Sequence, residues 1–195
     1  MKIYEHRINS KFELLRVHPT RGVEIDIRTS SGNLILAHEP FVEGELFSEW
    51  LLGWTGQPLI LNVKEDALED SILALLSEHQ VSEFFFLDQS YPSIRRVIGQ
   101  GLTKVATRVS DFEDLGTAMK SGSEWVWLDS FTGQWVYLLE AINKIHENGQ
   151  KTCLVSPELQ RPNSEQELHQ LIGLLQRNNL QITAVCTKAP ESWLW

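Results

Sequence analysis

The chain has 195 residues, with 17 Lys and Arg against 26 Asp and Glu, so its formal net charge is −9. Hydrophobic residues make up 42% and charged residues 22% of the chain, which is a globular composition and excludes a disordered protein. The acidic balance also argues against nucleic acid as a partner, because binding to phosphates requires a face rich in Lys and Arg.

The N-terminus and the cysteines bear on the cellular compartment. The first residues are too polar for a signal peptide, and no apolar run approaches the roughly 18 residues that a transmembrane segment requires. The two cysteines, Cys153 and Cys186, lie far apart in apolar runs, as expected for buried, reduced thiols. We therefore expect one cytoplasmic domain over residues 1–195, and the sequence makes no prediction about its oligomeric state.

Taken in chain order, short apolar runs alternate with longer amphipathic runs. The short runs predict strands that are buried on both faces, and a ninth, at 34–37, forms a hairpin with the second. The eight main strands are predicted at 2–5, 23–28, 59–64, 83–88, 104–110, 125–131, 151–156 and 182–187. The amphipathic runs predict helices at 47–52, 67–78, 92–100, 112–120, 135–148 and 164–178.

Eight strands alternating with helices fit either a closed parallel barrel or an open doubly wound sheet. An open sheet with a dinucleotide site would carry a glycine-rich loop, yet neither GxGxxG nor GxxxxGK[ST] follows any predicted strand. A (β/α)₈ barrel usually has about 250 residues, so a barrel of this length has short loops. Short loops predict an open site with little material for a lid.

Two acidic residues alternate with apolar ones on the second predicted strand. Glu24 and Asp26 are spaced i, i+2, which places both carboxylates on one face, opposite Val23, Ile25 and Ile27. Inside a barrel these carboxylates would need a cation, and two oxygen ligands suit Mg²⁺ or Ca²⁺. The alternative is a half-exposed strand whose polar face simply meets solvent.

Polar residues also follow the neighbouring strands. Asn62 and Lys64 share one face of the third main strand, where the Asn62 carbonyl oxygen could bind a hard metal and Lys64 a phosphate oxygen. The alternative is a strand end that emerges into solvent. His6 and His38 lie beside these residues in the pattern, and two imidazoles near their ordinary pKa can act as general base and general acid.

The order of these residues along the chain resembles that of a known family. The motifs that carry the resemblance are His6-Arg7, Glu24-Ile25-Asp26, His38-Glu39, Asn62-Val63-Lys64 and Thr187-Lys188-Ala189-Pro190. They follow the order of the HRG, ExD, HD, ExK and TDxP motifs of the glycerophosphodiester phosphodiesterases, within the wider phosphatidylinositol-phospholipase-C-like group. The resemblance is strong over residues 1–65, faint through the middle, and returns at 182–190.

The resemblance implies an α/β fold, a compact (β/α)₈ TIM barrel, with a divalent metal at the C-terminal ends of its strands. Glu24, Asp26 and Asn62 would bind Mg²⁺ or Ca²⁺ as the cofactor. The implied activity is metal-dependent hydrolysis of a small glycerophosphodiester-like substrate, which would make the chain a phosphodiesterase of lipid metabolism. The metal and neighbouring cations would stabilise the charge that builds on the phosphoryl oxygens.

The resemblance also implies roles for residues around the metal. His6 and His38 would be the general acid and base, while Arg7 and Lys64 would hold the phosphodiester. Further candidates follow the later strands and would lie at the same end of a barrel: Asp88, Arg108, Asp129 and Glu158. We expect Trp127 to fill the barrel interior, and the alternative is that it forms the floor of a substrate pocket. We expect the 193–195 segment to pack across the barrel, and the alternative is an apolar patch for a lipid or a partner.

Several positions depart from the family motifs. Ile8 stands where HRG has glycine, Glu39 where HD has aspartate, and Lys188 where TDxP has aspartate. Asn62 stands where ExK has glutamate, and losing a carboxylate weakens the binding of a hard cation. Asn9 is a candidate for compensating that loss, since phospholipase C relatives use an asparagine near the first histidine. These departures support an alternative function, a catalytically silent relative that binds a phosphorylated ligand.

Overall fold

Eight parallel strands alternate with helices in the computed structural model, which describes residues 1–194. The strands are β1 (Lys2–Glu5), β2 (Gly22–Ser30), β3 (Asn33–Leu36), β4 (Glu45–Leu46), β5 (Leu59–Val63), β6 (Phe84–Leu87), β7 (Ala106–Val109), β8 (Trp125–Leu128), β9 (Lys151–Val155) and β10 (Ala184–Thr187). The helices are α1 (Lys11–Leu14), α2 (Phe47–Leu51), α3 (Glu69–Glu78), α4 (Tyr91–Gly99), α5 (Leu115–Lys120), α6 (Leu138–Glu147) and α7 (Glu165–Arg177). Short 3₁₀ helices lie at Pro157–Leu159 and Pro190–Trp193.

The first and last strands pair with each other, so the sheet curls. β1 lies parallel between β2 and β10, and the sheet continues through β5 and β6 on one side and through β9, β8 and β7 on the other. The two ends, β6 and β7, meet at one parallel bridge between Phe86 and Val105. No regular ladder joins these two strands within residues 1–194. The predicted α/β class is therefore confirmed as a curled eight-stranded parallel sheet with an added hairpin of β3 and β4.

All eight predicted main strands are present, whereas some helix boundaries were wrong. The predicted 112–120 helix begins at Leu115, because the Asp114 side chain accepts a hydrogen bond from the Thr117 N–H at 2.9 Å and caps the helix there. The short α1 was not predicted. It begins after Ser10, which forms a capping box with Glu13.

Inside the curled sheet, side chains form an apolar layer with a polar layer above it. Phe85 stacks on Trp125 with ring centroids 4.4 Å apart, and Trp127 belongs to the same interior cluster, as predicted. Ile60 also points inward, and with a period of two Asn62 lies on that same face, one layer further along β5. Because Glu24 pairs with Ile60 and Asp26 with Asn62, the carboxylates extend this polar layer.

Val23, Ile25 and Ile27 belong to the outer core, where they pack with helix residues such as Phe47 and Trp50. At the other end of the chain, Trp193 is buried and its indole N–H donates to Ser156 Oγ at 3.0 Å, while Trp195 lies outside the described residues. None of the helices within residues 1–194 has the length and apolar character to cross a bilayer.

Candidate functional site

The carboxyl ends of the parallel strands surround a cavity of about 210 Å³. Because these ends all meet at one edge of the sheet, residues distant in sequence become neighbours there. Most of the residues predicted from the sequence line this cavity. They are His6, Arg7, Glu24, His38, Asn62, Lys64, Asp88, Arg108 and Asp129.

Glu24 is fully buried, and both of its carboxylate oxygens accept hydrogen bonds. Oε2 accepts from the Arg7 backbone N–H at 2.7 Å, and Oε1 accepts from Asn62 Nδ2 at 2.8 Å. Burial, reinforced by the nearby charge of Asp26, raises the pKa of Glu24 from 4.5 to about 7. The carboxyl therefore changes charge near neutral pH. Its complete burial excludes the alternative of a half-exposed strand.

The Arg7 backbone adopts an uncommon conformation directly after β1 ends. Its φ of 57° is in the left-handed region, which costs a non-glycine residue roughly 1 kcal/mol. The Arg7 Nε also lies 3.8 Å from Asp26 Oδ2, so one residue contacts both carboxylates.

Asp26 is also fully buried and is held by Asn9. The Asn9 Nδ2 donates to Asp26 Oδ2 at 2.8 Å, and the Asp26 backbone N–H donates to Asn9 Oδ1 at 2.8 Å. Lys64 Nζ lies 3.1 Å from Asp26 Oδ1 as an ion pair. Asn9 thus orients the carboxylate, while Lys64 supplies a positive charge beside it.

Two inward acceptors of this cluster are buried and lack hydrogen bonds. Within residues 1–194, neither Asp26 Oδ1 nor Asn62 Oδ1 has a hydrogen-bond donor, because Lys64 approaches Asp26 without hydrogen-bond alignment. Buried acceptors of this kind are normally satisfied, and two carboxylates with an amide oxygen are the hard donors that Mg²⁺ and Ca²⁺ prefer. The donor set therefore fits such an ion, although the part of the chain described contains no group of three or more His, Cys, Asp or Glu arranged for a metal.

The two histidines differ in environment. Burial, followed by the positive charge of Arg7, lowers the pKa of His6 from 6.5 to about 3, so this imidazole is neutral at pH 7. Its Nε2 lies 3.7 Å from Glu24 Oε2. His38 is more exposed, and its Nδ1 lies 2.6 Å from Glu39 Oε1. Glu39 therefore orients the His38 ring even though it departs from the family motif.

A second group of charges faces the first across the cavity. Arg108 contacts Asp88, and it lies 3.9 Å from both Asp129 and Glu113. Lys64 lies 3.6 Å from Asp88, so it links the two groups. Burial raises the pKa of Asp129, and the charge of Arg108 opposes that rise. Arg108 thus compensates several carboxylates at once.

Gln160 and Glu158 follow the end of β9 in different roles. Gln160 was missed in the sequence because it lies in no recognisable motif, and its Nε2 donates to both Asp129 oxygens at 2.9 and 3.1 Å. Glu158 was a predicted candidate, yet it points to the end of β10. It accepts from Thr187 Oγ1 at 2.5 Å and from the Lys188 N–H at 3.0 Å.

Comparison with known proteins places the fold. No family model and no curated protein matches the chain. A glycerophosphodiester phosphodiesterase from Agrobacterium tumefaciens superposes with a TM-score of 0.69 at 11% identity, over 99% of each chain. The glycerophosphodiester phosphodiesterase from Thermotoga maritima superposes with a TM-score of 0.70 at 11% identity, and the match covers 98% of this chain and 96% of the enzyme. A glycerophosphodiester phosphodiesterase from Parabacteroides distasonis superposes with a TM-score of 0.70 at 13% identity, and the match covers 97% of this chain and 93% of that one. The resemblance seen in the motifs is therefore confirmed in the fold.

Proposed function

We propose that the chain is a phosphodiesterase that hydrolyses a small glycerophosphodiester-like substrate on a compact (β/α)₈ barrel. The observation that carries the proposal is the joint presence of His6, His38, Arg7 and Lys64 around the buried Glu24 in one cavity. The barrel is proposed to close at the Phe86–Val105 bridge. A shared fold hosts many functions, so the chemistry of this cavity, rather than the fold, indicates the function.

The cations of the cavity suit an anionic phosphodiester. The Arg7 side chain is 39% exposed and the Lys64 side chain 14% exposed, so both combine access with a site partly shielded from water. A guanidinium can bind two phosphoryl oxygens at once, while an ammonium acts as a point charge. Together they would fix the phosphorus near His6 and His38.

Glu24, Asp26 and Asn62 are the residues that would hold Mg²⁺ or Ca²⁺. An ion bound there would add positive charge against the phosphoryl oxygens. Support comes from the open Oδ1 atoms of Asp26 and Asn62 within residues 1–194 and from the raised pKa of Glu24. A nearby cation would return that pKa to a lower value, because it favours the ionised carboxylate.

The histidines would divide the proton transfers between them. Neutral His6 would accept the proton of the attacking hydroxyl, from water or from a neighbouring hydroxyl of the substrate. His38, whose Nδ1 faces Glu39, would donate a proton to the departing alcohol.

Hydrolysis of a glycerophosphodiester in the presence of Mg²⁺ or Ca²⁺ tests the proposal. We expect His6→Ala and His38→Ala each to lower kcat by about 10²–10⁴-fold, the usual contribution of a general acid or base. His169→Ala is the matched control, because His169 is exposed on α7. Equal rates in the wild type and all three variants would overturn the acid–base roles, and no hydrolysis by the wild type would overturn the function.

One observation favours a second candidate, a silent relative that binds a phosphorylated ligand. Lys64 and Arg7 already place positive charge beside Asp26, at 3.1 and 3.8 Å, which lowers the need for a metal there. Calorimetry with Mg²⁺ and Ca²⁺ separates the two candidates. Tight binding that disappears in Glu24→Ala would exclude the silent alternative, whereas phosphate binding without metal binding or hydrolysis would support it.

A further inference from the structure

Glu158 joins the ends of two neighbouring strands beside the cavity. It lies in the short 3₁₀ helix that follows β9, and its Oε1 accepts from Thr187 Oγ1 at 2.5 Å and from the Lys188 backbone N–H at 3.0 Å. Its Oε2 accepts from Ser156 Oγ. Because Ser156 directly follows β9 and Thr187 is the last residue of β10, this one carboxylate connects both strand ends.

The support behind Glu158 is rigid. The Ser156 Oγ accepts from the Trp193 indole N–H at 3.0 Å, and the Ser156 backbone N–H donates to the Cys186 carbonyl at 2.9 Å. Both Ser156 and Trp193 are buried. A carboxylate whose partners are themselves held in place can define the position of a neighbouring group.

The neighbouring group is His6, at the end of β1. The ladder between β1 and β10 ends at the pair of Glu5 and Thr187, and the His6 backbone N–H then donates to the Thr187 carbonyl at 3.0 Å. The ends of secondary-structure elements open more readily than their middles. Thr187 is thus bound on two sides, by Glu158 through its side chain and by His6 through its backbone.

The His6 ring has no hydrogen bond of its own to orient it. Its Nε2 lies 3.7 Å from Glu24 Oε2, which is beyond hydrogen-bond distance. Its Nδ1 is buried and has no hydrogen-bond partner within residues 1–194. A histidine that acts as a base is normally oriented by a hydrogen bond to its second nitrogen, so the direction of this ring depends on its backbone and on packing.

We propose that Glu158 is a positioning residue for His6. By holding Thr187 at the end of β10, it fixes the backbone bond from which the His6 imidazole reaches into the cavity. This inference rests on the proposed function, in which His6 accepts the proton of the attacking hydroxyl. Glu158 itself takes no part in that proton transfer.

The kinetics of Glu158→Ala test this role. We expect kcat to fall by about 10–100-fold, because a small misplacement of a reacting group has an effect of that size. KM should change by less than about threefold, since the phosphate-binding residues are anchored elsewhere. The Arg7 N–H bonds to Glu24 on β2, and Lys64 follows β5. An unchanged kcat, or a loss that lies in KM alone, overturns the proposal.

Glu167→Ala is the matched control. Glu167 follows the same turn after β9 and accepts hydrogen bonds from the Trp135 indole N–H at 2.7 Å and from Arg161 Nε at 2.9 Å. These contacts hold the turn on the side away from β10. We expect a comparable loss of stability in urea, with kcat within about twofold of the wild type. An equal fall in kcat in both variants overturns the role of Glu158.

The conservative variant Glu158→Gln separates positioning from charge. Its amide oxygen can still accept from Thr187 and Lys188, and its amide nitrogen can donate to Ser156 Oγ. We therefore expect it to restore kcat to within about threefold of the wild type. A kcat as low as that of Glu158→Ala would overturn the positioning role.

A milder variant keeps the test usable if Glu158→Ala does not fold. Thr187→Val has nearly the same shape but removes the hydroxyl that donates to Glu158. We expect kcat to fall by about five- to tenfold, as the loss of one hydrogen bond would produce. An unchanged kcat in this variant contradicts the proposal.

Hydrogen exchange of the His6 amide needs no substrate and distinguishes this inference from the proposed function. Relative to the amides in the middle of β2, we expect the His6 amide to exchange about tenfold faster in Glu158→Ala and at the wild-type rate in Glu167→Ala. Faster exchange without any hydrolysis by the wild type supports the link to His6 and overturns the function. Hydrolysis by the wild type, with kcat unchanged in Glu158→Ala at either exchange rate, supports the function and overturns the positioning role.

Discussion

The two walls of the cavity are built differently. On the first wall, formed by β1, β2 and β5, the Glu24 and Asp26 carboxylates are fully buried and held by Asn62 and Asn9 through short hydrogen bonds. On the second wall, formed by β6, β7 and β8, Arg108 forms ion pairs with three carboxylates, two of them at 3.9 Å. A fixed wall suits groups that must be aligned for chemistry, whereas a looser wall suits substituents of varied shape.

Removing the cation of the first wall is expected to have the largest effect. Lys64→Met leaves the buried Asp26 without its closest positive charge, and breaking a buried pair from one side costs about 3–5 kcal/mol. Urea unfolding at pH 7 measures the loss. A change below about 1 kcal/mol would show that Arg7 alone compensates Asp26 and that the first wall is less tightly coupled than its contacts indicate.

The free energy of unfolding should also depend on pH through Glu24 on the first wall, by an amount nearly as large as the effect of Lys64→Met. Because the folded pKa of Glu24 is raised from 4.5 to about 7, its favourable contribution is complete below pH 4.5 and is lost as the pH rises through 7. Glu24→Gln removes this dependence. We expect the stability of the variant relative to the wild type to rise by about 2.5 kcal/mol between pH 5 and pH 8.

The difference between wild type and variant isolates Glu24 from His6. The pKa of His6 is lowered from 6.5 to about 3, so its contribution is lost as the pH falls below 6.5, in the opposite direction. Urea unfolding of both proteins at several pH values gives the comparison. A stability difference that stays constant from pH 5 to pH 8 would contradict the raised pKa of Glu24.

A carboxylate in place of the Asn62 amide sharpens the proposed metal site. Asn62→Asp adds a negative charge beside the open acceptors, and affinity for a hard cation follows ligand charge. We expect about a tenfold tighter Mg²⁺ or Ca²⁺ dissociation constant by calorimetry, equivalent to about 1.4 kcal/mol. The control is Asn33→Asp, which adds the same charge on the exposed hairpin. An equal gain in metal affinity in this control would show that the metal does not bind at the first wall.

Removing the cation of the second wall should change the stability least. Arg108→Met removes an arginine that is 26% exposed, and its pairs with the partly exposed Asp88 and Glu113 contribute about 1 kcal/mol or less. The buried Asp129, 3.9 Å from Arg108, keeps its two hydrogen bonds from Gln160. We expect a small loss of stability together with a higher KM, since Arg108 lines the cavity of the site. A loss as large as that of Lys64→Met would show that the two walls are equivalent.

Period-two alternation predicted that Glu24 and Asp26 share one face of β2, because in a strand the face of a residue depends only on its position. That this face is the interior follows from the curl of the sheet. Short apolar runs predicted all eight main strands. The local pattern did not locate β4 or α1, which are too short to show a period, and it began the 112–120 helix early because the Asp114 cap depends on one hydrogen bond.

By itself, the sequence determined the alternation of strands and helices, the acidic face of β2 and the set of polar residues at the strand ends. Only the tertiary structure decided which of them meet. Asn9 reaches Asp26, Gln160 reaches Asp129, and Glu158 turns to β10, since these contacts depend on how the loops fold over the sheet.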